Sequence, residues 1–202
     1  MARGQLIAFE GIDGSGKSST LARVVAALQK DGKSVVATRE ETASERGGWV
    51  RRSITEKWDP LTTTFLFVAD RAQHVAELKV LLDAGTHVLC DRFLHSTLAY
   101  QGVTLQGRMP DPTSFLRGLH EGWCPLPDKV LLFKADPAKC IERVRKRGQE
   151  APYEKAQFLT RVQDAYLAEA RRDAGRFTIL DAERDLEVVA QDALAQVKRW
   201  LA

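Results

Sequence analysis

One segment near the N-terminus constrains the fold more than any other part of this 202-residue chain. Residues 11–18 read GIDGSGKS and match the phosphate-binding pattern G-x-x-x-x-G-K-[ST]. An apolar run, Leu6–Phe9, precedes them, and apolar residues at helical spacing follow. A strand, a glycine loop and a helix in this order direct backbone N–H groups and the positive end of a helix dipole at a bound anion. The segment therefore predicts a nucleoside triphosphate site, with Lys17 at the β- and γ-phosphates and the Ser18 hydroxyl as a ligand of Mg²⁺.

The composition is that of an ordinary globular protein and excludes several classes of function. Charged residues make up 28% of the chain and the net charge is +3, which is too mild to indicate a nucleic-acid surface. The three cysteines lack C-x-x-C spacing, so no disulfide framework or zinc site is indicated. No apolar stretch has the length of a membrane span, and the first strand begins too early for a signal peptide. We expect one cytoplasmic domain, residues 1–202, without nucleic-acid or membrane partners.

Strand-like and helical patterns alternate along the chain. The apolar runs with strand character are Leu6–Phe9, Val35–Ala37, His87–Cys90, Val130–Phe133 and Phe177–Leu180. Helical patterns between them predict an α/β fold, a P-loop three-layer sandwich with a five-stranded parallel sheet flanked by helices. Ligands of such sheets bind at the carboxyl ends of the strands, so the polar residues that follow the strands should gather at one edge. These residues are Gly11–Ser18, Arg39–Glu40, Asp91–Arg92 and Asp136.

Asp91 and Arg92 end an apolar run, which is typical of a second phosphate-binding element. Beside a phosphate loop, Asp91 would hold Mg²⁺ through water, and the guanidinium of Arg92 would pair with a phosphate. The alternative is a surface turn that closes the strand.

The stretch from residue 61 to residue 82 predicts a helix with two distinct faces. The expected core face consists of Leu61, Phe65, Val68, Ala72, Val75 and Leu82. A different stripe contains Phe67, Asp70, Arg71 and His74. On that stripe Phe67 would stack on a planar ligand and Arg71 would donate to its edge, or the two would be a packed aromatic ring and a solvated charge. His120 is expected at the surface.

A basic cluster ends the helix that begins near Asp136; it consists of Arg143, Arg145, Lys146 and Arg147. Such a cluster beside a polar segment would fold over phosphates as a lid. Cations at a helix C-terminus are also ordinary complements of the helix dipole, so both interpretations stay open on composition.

Several segments together resemble the thymidylate kinase family, whose members phosphorylate dTMP with ATP. The most specific are F-x-x-D-R at residues 67–71 and D-R-F-x-x-S-T-x-A-Y-Q-G at residues 91–102, in the family's order after the phosphate loop and T-R-E at residues 38–40. A weaker match runs from residue 136 to residue 182. Two segments depart from the family pattern. Glu41 and Thr42 replace the usual Pro-Gly, and Glu154 alone remains of an Asp-Arg-x-Glu lid element.

The resemblance implies in-line transfer of the γ-phosphoryl group from MgATP to dTMP, in an enzyme that is commonly a homodimer. The implied catalytic residues are Lys17, Arg92, Asp13, Arg147 and Arg143, with a lid at about residues 143–154. The implied ATP-binding residues are Gly11, Ile12, Asp13, Gly14, Ser15, Gly16, Lys17, Ser18, Ser19 and Arg143. The implied dTMP-binding residues are Asp13, Arg39, Phe67, Arg71, Arg92, Ser96, Thr97, Tyr100 and Gln101. Mg²⁺ is the implied cofactor, held by Ser18 and, through water, by Asp91.

The resemblance also implies individual roles at the acceptor. Phe67 would stack on the thymine and Arg71 would bond its exocyclic oxygen, while Tyr100 would lie against the deoxyribose. Two alternatives stay open: a kinase for another pyrimidine nucleotide or a deoxynucleoside, and a nucleotide-binding module without turnover. The intact Lys17 and Arg92 argue against the second.

Overall fold

The computed structural model describes residues 2–146 and 154–202, and within these ranges five strands alternate with eight helices. The strands are β1 (Leu6–Gly11), β2 (Val35–Arg39), β3 (His87–Asp91), β4 (Lys129–Lys134) and β5 (Phe177–Asp181). The helices are α1 (Lys17–Lys30), α2 (Glu45–Thr55), α3 (Pro60–Asp83), α4 (Leu94–Thr104), α5 (Pro112–His120), α6 (Pro137–Arg145), α7 (Glu154–Arg172) and α8 (Leu186–Trp200).

The five strands form one parallel sheet in the order β2-β3-β1-β4-β5. β1 lies at the centre, where Ile7, Ala8 and Phe9 are fully buried. All five predicted strand segments are confirmed, and each extends one or two residues further at its carboxyl end. Arg39 and Asp91 are therefore the last residues of their strands, and the two lie opposite each other in register. Both reach the edge of the sheet at which β1 enters the glycine loop.

Helices cover both faces of the sheet. Side chains alternate along a strand, so Ile7 and Phe9 pack in one core while Leu6 and Ala8 pack in the other. The first core takes residues from α1, α7 and α8, and the second takes residues from α3, α4 and α5. The predicted three-layer α/β architecture is confirmed. None of the helices in residues 2–146 and 154–202 combines the length and the apolar character that a membrane span requires.

Three helices begin with the dipeptide Asp-Pro, at residues 59–60, 111–112 and 136–137. Each aspartate side chain accepts a hydrogen bond from a backbone N–H of the first turn, at 2.7–3.0 Å. Proline suits the first helical position because that residue's N–H would have no partner in the helix. Asp136, predicted among the polar residues at the sheet edge, is therefore the N-cap of α6.

Helix α3 buries only part of the predicted core face. Leu82 lies in the core, and Leu61 and Val75 pack against it, as predicted. Phe65 and Ala72 are exposed, whereas Asp70, Arg71 and His74 are buried. The reason is that α3 is apolar on two sides. An exposed apolar row, called here the α3 stripe, consists of Phe65, Ala69, Ala72, Ala76 and Val80. Apolar periodicity alone cannot separate this stripe from the core face, and the buried polar residues are accommodated because they find hydrogen-bond partners.

Candidate active site

The phosphate loop leaves β1 at the centre of the sheet and enters α1. Gly14 has a φ of +85°, and a Cβ atom there would lie 2.3 Å from the carbonyl oxygen of Cys140 in α6. Only glycine fits this position, so the backbone of the loop can pack directly against α6. A surface pocket at the loop is lined by Asp13, Gly14, Gly16, Lys17, Ser18, Ser19 and Val144.

Lys17 is a buried cation at the start of α1, with its Nζ 4.0 Å from Oδ1 of Asp91. Burial, with a smaller contribution from Arg92, lowers the pKa of Lys17 to about 8. A phosphate bound beside the amine would favour its charged form again. Lys17 is therefore placed to gain interaction energy when an anion binds at the loop.

Ser18 and Asp91 offer a pair of oxygen atoms that suits Mg²⁺. The Ser18 hydroxyl donates to Oδ2 of Asp91. Oδ1 of Asp91 is buried and has no hydrogen-bond partner among the residues that the structure describes. Hydroxyl and carboxylate oxygens are the ligands that Mg²⁺ prefers, and this ion keeps water and substrate phosphates as its other ligands. No cluster of three or more metal-ligating side chains occurs in the described ranges.

Arg92 stands in the turn between β3 and α4, with a φ of +70°. One terminal nitrogen, Nη2, donates to Oδ1 of Asp13 at 2.8 Å and to the Tyr100 hydroxyl at 3.2 Å. The other, Nη1, donates to the hydroxyls of Ser96 at 3.1 Å and Tyr166 at 3.2 Å. Four residues predicted from sequence thus lie together, with Asp13, Ser96 and Tyr100 bonded to the guanidinium of Arg92. The fifth, Tyr166 of α7, had no predicted role.

Glu10 is a buried carboxylate beneath this cluster and had no predicted role. Its Oε1 accepts the backbone N–H groups of Phe93 at 2.9 Å and Ser96 at 3.3 Å. Its Oε2 accepts the hydroxyls of Ser96 at 2.6 Å and Tyr166 at 3.1 Å. Burial raises the pKa of Glu10 to about 7, although these hydrogen bonds and Arg92 favour the charged form. The available sequence signal was a charged residue at the end of an apolar strand, directly before the glycine loop.

Arg71 lies at the centre of a second buried cluster, between β2, α3, α4 and α5. Nε and Nη2 donate to Oε2 of Glu40 at 2.8 and 2.5 Å, and Nη2 also donates to the carbonyl of Phe93 at 3.2 Å. Nη1 donates to the hydroxyl of Thr97 and to Nε2 of His120, both at 2.9 Å. All five N–H groups of the guanidinium are therefore bonded to protein atoms.

His120 is buried, so its expected surface position is wrong. Its Nδ1 lies 2.7 Å from the Leu116 carbonyl, which can only accept, and its Nε2 faces a donor of Arg71. The neutral ring with hydrogen on Nδ1 satisfies both contacts. Burial, followed by the charge of Arg71, lowers the pKa of His120 to about 4. Sequence reasoning missed this contact because 49 residues separate the two side chains.

Glu40 joins β2 to the buried face of α3. Burial opposes its ionisation, but Arg71 and His74 outweigh that effect and hold the pKa of Glu40 below its ordinary value. His74 contributes Nδ1, 3.0 Å from Oε1 of Glu40, and its Nε2 lies 2.8 Å from the Thr38 hydroxyl. Two residues of the predicted ligand stripe, Arg71 and His74, thus hold Glu40 in place.

Asp70 fixes the loop after β2. Its carboxylate accepts the backbone N–H of Thr42 at 2.8 Å and the Thr42 hydroxyl at 2.6 Å. This is the segment that departs from the family pattern, and the threonine hydroxyl supplies one of the bonds. Arg39 precedes the loop, is mostly exposed and pairs with Glu41 at 3.6 Å.

The remaining predicted residues lie around these two clusters. Phe67 is half-buried one turn before Arg71 on α3, and Gln101 is half-buried one turn after Thr97 on α4. Arg143 of α6 donates from Nη1 to the carbonyls of Gly14 at 3.4 Å and Ala182 at 3.1 Å, so it ties the phosphate loop to the end of β5. Arg147 and the predicted lid residues 147–153 lie outside the described residues.

A larger cavity, of about 420 Å³, lies away from these clusters, at the amino end of β1. Its lining includes Leu6, Leu82, Trp123 and Cys124. The chemically equipped residues are at the opposite edge of the sheet, so we place the candidate active site there, despite the smaller pocket.

Comparison with known proteins finds relatives that match nearly the whole chain. Residues 9–193 match the family model described as thymidylate kinase. A relative from Methanosarcina mazei, called probable thymidylate kinase, is 40% identical over 201 residues, which cover 98% of each chain. One with the same description from Methanococcoides burtonii is 39% identical over 196 residues, 96% of each chain. A third, from Natronomonas pharaonis, is 35% identical over 199 residues, 98% of this chain and 99% of its own. The similarity therefore extends far beyond the phosphate loop.

Proposed function

We propose a function from one premise: this chain belongs to the thymidylate kinase family. The reaction is transfer of the γ-phosphoryl group of ATP to the 5′-phosphate of dTMP, which gives ADP and dTDP. One observation carries the proposal beyond family membership. The Arg92 guanidinium bonds to Asp13 of the phosphate loop and to Ser96 and Tyr100 of α4, so it connects the donor half of the site to the acceptor half.

On the donor side, Lys17 and the backbone N–H groups of residues 11–18 would bind the phosphates of ATP. Ser18 and Asp91 would hold Mg²⁺, which neutralises charge on the phosphates when bound. We propose that Arg143 contributes by holding Gly14 and the end of β5, because it donates to carbonyls of both segments.

In the transfer step, an oxygen of the dTMP phosphate attacks the γ-phosphorus and the bond to the β-phosphate oxygen of ADP breaks. The attacking phosphate is already ionised, so no strong general base is required. Arg92 would stabilise the equatorial oxygens of the group in transfer, and Asp13 would help to organise the acceptor. Because the arginine of the family's Asp-Arg-x-Glu lid element is missing here, we propose that Arg145 or Arg147 supplies the further catalytic cation.

On the acceptor side, we propose that Phe67 stacks on the thymine, that Thr97 and Gln101 bond its edge, and that Tyr100 lies against the deoxyribose. Arg39 would exchange its contact with Glu41 for the acceptor phosphate.

The role of Arg71 changes from the sequence-based one. Its N–H groups are all bonded to protein atoms, so contact with the base requires exchange of a bond at Nη1. We propose that Arg71 mainly fixes the wall of the base site, in particular the Thr97 hydroxyl.

The acceptor is tested by measuring ADP release with purified protein, MgATP and a panel of dTMP, dUMP, dCMP, UMP and thymidine. We expect the highest kcat/KM with dTMP. For Arg92→Ala we expect no ADP release above background with any of these acceptors. A higher kcat/KM with thymidine would establish a deoxynucleoside kinase instead. Binding of ATP and dTMP without ADP release would establish a nucleotide-binding module.

We also propose a cytoplasmic enzyme with one domain of residues 1–202, a lid at about residues 143–154, and a homodimeric state.

The α3 stripe supports the dimer, because Phe65 is 48% and Val80 is 70% exposed on one face of the helix. In light scattering, we expect twice the 22.5 kDa chain mass for the wild type. Val80→Glu should give a monomer. Val188→Glu, on α8, is the control and should remain a dimer. A monomeric wild type would refute the dimer.

A further inference from the structure

The turn that carries Arg92 depends on a carboxylate from another strand. Phe93 stands at the N-cap position of α4 and has no polar side-chain atom with which to cap the helix. The carboxylate of Glu10, on β1, accepts N–H groups of Phe93 and Ser96 instead. A side-chain acceptor at a helix N-terminus stabilises the first turn, and a negative charge there also complements the helix dipole. Glu10 therefore holds the backbone turn in which Arg92 has its positive φ.

The second oxygen of Glu10 controls the direction of two hydroxyl groups. Ser96 and Tyr166 both lie within hydrogen-bond distance of Oε2, at 2.6 and 3.1 Å. Nη1 of Arg92 donates to the same two hydroxyls, at 3.1 and 3.2 Å. Nη1 can only donate, so each hydroxyl must turn a lone pair toward it and its proton elsewhere. The two hydroxyls also lie 2.7 Å from each other. A carboxylate at Oε2 attracts the Ser96 proton, and it attracts the Tyr166 proton directly or through the Ser96 oxygen, so both lone pairs stay turned toward Nη1.

We infer that Glu10 is a positioning residue for Arg92, which it acts on through the Ser96 and Tyr166 hydroxyls and the capped first turn of α4. Glu10 does not itself touch the phosphates. The inference rests on the proposed function in one respect, that Arg92 acts on the phosphoryl group in transfer.

The substitution Glu10→Gln separates this role from simple filling of space. The carboxamide keeps the shape of the side chain, and its oxygen can still cap α4. Its NH₂ group, if placed at the position of Oε2, donates to the hydroxyls instead of accepting from them. At least one hydroxyl proton must then turn, and Nη1 loses an acceptor. A catalytic group that is displaced by about 1 Å can lose roughly 10²-fold in rate.

The pH dependence gives a second readout. Two charged or titratable groups lie next to Glu10: Tyr166 donates a hydrogen bond to it, and Arg92 acts on it through its charge. Lys17, Arg71 and Cys90 interact with Glu10 from further away. With a pKa of about 7, Glu10 becomes fully ionised only above neutral pH. We expect kcat of the wild type to rise through this range and the rise to be flattened in Glu10→Gln.

The experiment compares kcat, both KM values, the pH profile of kcat and the melting temperature for three variants. Glu10→Gln should lower kcat about 10- to 100-fold and leave KM for ATP within about threefold, since the phosphate loop is unchanged. Tyr166→Phe, which removes one hydroxyl from Nη1, should lower kcat by a smaller factor; it decides the question if Glu10→Gln does not fold. Asp128→Asn is the matched control, because Asp128 accepts the Leu6 N–H at the opposite end of β1 and should leave kcat unchanged.

A kcat for Glu10→Gln and Tyr166→Phe within twofold of the wild type would overturn the inference. So would an unchanged pH profile together with equal rises in both KM values, which indicate general damage to the fold. Failure of the proposed function is seen separately, because the wild type would then not phosphorylate dTMP. In that case the same comparison is made with the acceptor that the panel identifies.

Discussion

Removal of either partner from the buried ion pair between Arg71 and Glu40 should strongly destabilise the fold. The two side chains are 1% and 4% exposed. We consider Arg71→Met, which removes the guanidinium but retains most of the side-chain volume. The substitution leaves Glu40 ionised or protonated in a buried site without its main partner. Removal of one partner from a buried pair typically costs about 3–5 kcal/mol.

The hydrogen bonds give a similar magnitude. Two of the five donate to the charged carboxylate, and such bonds contribute about 1.5–3 kcal/mol each. A chain of this size loses about 2–4 °C of melting temperature per kcal/mol, so Arg71→Met should melt about 6–20 °C below the wild type. The pH adds a sign. Because the pKa of Glu40 is depressed from the ordinary 4.5, its contribution is present above pH 4.5 and is lost as the pH falls further.

The assay is urea unfolding at pH 7 without nucleotide, for Arg71→Met, Glu40→Gln and the double variant. The double variant should be far more stable than the sum of the single losses predicts, because neither partner then remains alone. Lys79→Met is the control on the same helix, since its i,i+4 pair with Asp83 is exposed and should contribute less than about 0.5 kcal/mol. If Arg71→Met lost less than about 1 kcal/mol and only raised KM for dTMP, Arg71 would be a substrate ligand without the structural role derived above.

Three further outcomes follow from the site. Arg92→Ala should lower kcat about 10³-fold or more in steady-state assays; a loss confined to KM for dTMP would contradict a role in the transfer step. Asp91→Asn should raise the Mg²⁺ concentration for half-maximal activity by about 10-fold, measured by Mg²⁺ titration at saturating ATP; an unchanged requirement would exclude Asp91 from the metal site. The raised pKa of Glu10 means that the folded chain retains a proton which the unfolded chain loses between pH 4.5 and about 7. As the pH rises through that range, the free energy of unfolding of the wild type should therefore fall by up to about 3 kcal/mol relative to that of Glu10→Gln. Parallel pH curves for the two proteins in urea unfolding would refute this.

The sheet and the phosphate loop were predictable because their signals are local. A strand that is buried on both faces is an uninterrupted apolar run, as at Leu6–Phe9 and Val130–Phe133, and an Asp-Pro pair marks a helix start. The segments that resemble a known family predicted a shared site for Asp13, Arg92, Ser96 and Tyr100. In the structure these four side chains lie together.

The second cluster was only partly predictable, because its partners are distant in the sequence and polar. Periodicity assigns polar residues to the surface, so His120 was expected there, and the exposed Phe65 and Ala72 were assigned to the core face of α3. Burial of Asp70, Arg71 and His74 is compensated by hydrogen bonds from β2, α4 and α5, which no local pattern records. Glu10 had no predicted role, because its effect on Arg92 depends on the packing of α4 and α7, which is a property of the fold.

The strand order also determines the axis along which the proposed reaction runs. Arg39 ends β2, Arg92 directly follows β3, and Lys17 begins the helix after the loop that follows β1; these three strands are successive neighbours in the sheet. Because neighbouring strands lie about 4.8 Å apart, the three strand ends span about 10 Å perpendicular to the strands. In the proposed reaction, the phosphoryl group would pass from the β1 side of the site toward β3 and β2. One additional strand between β3 and β1 would separate donor from acceptor by about 5 Å and prevent in-line transfer.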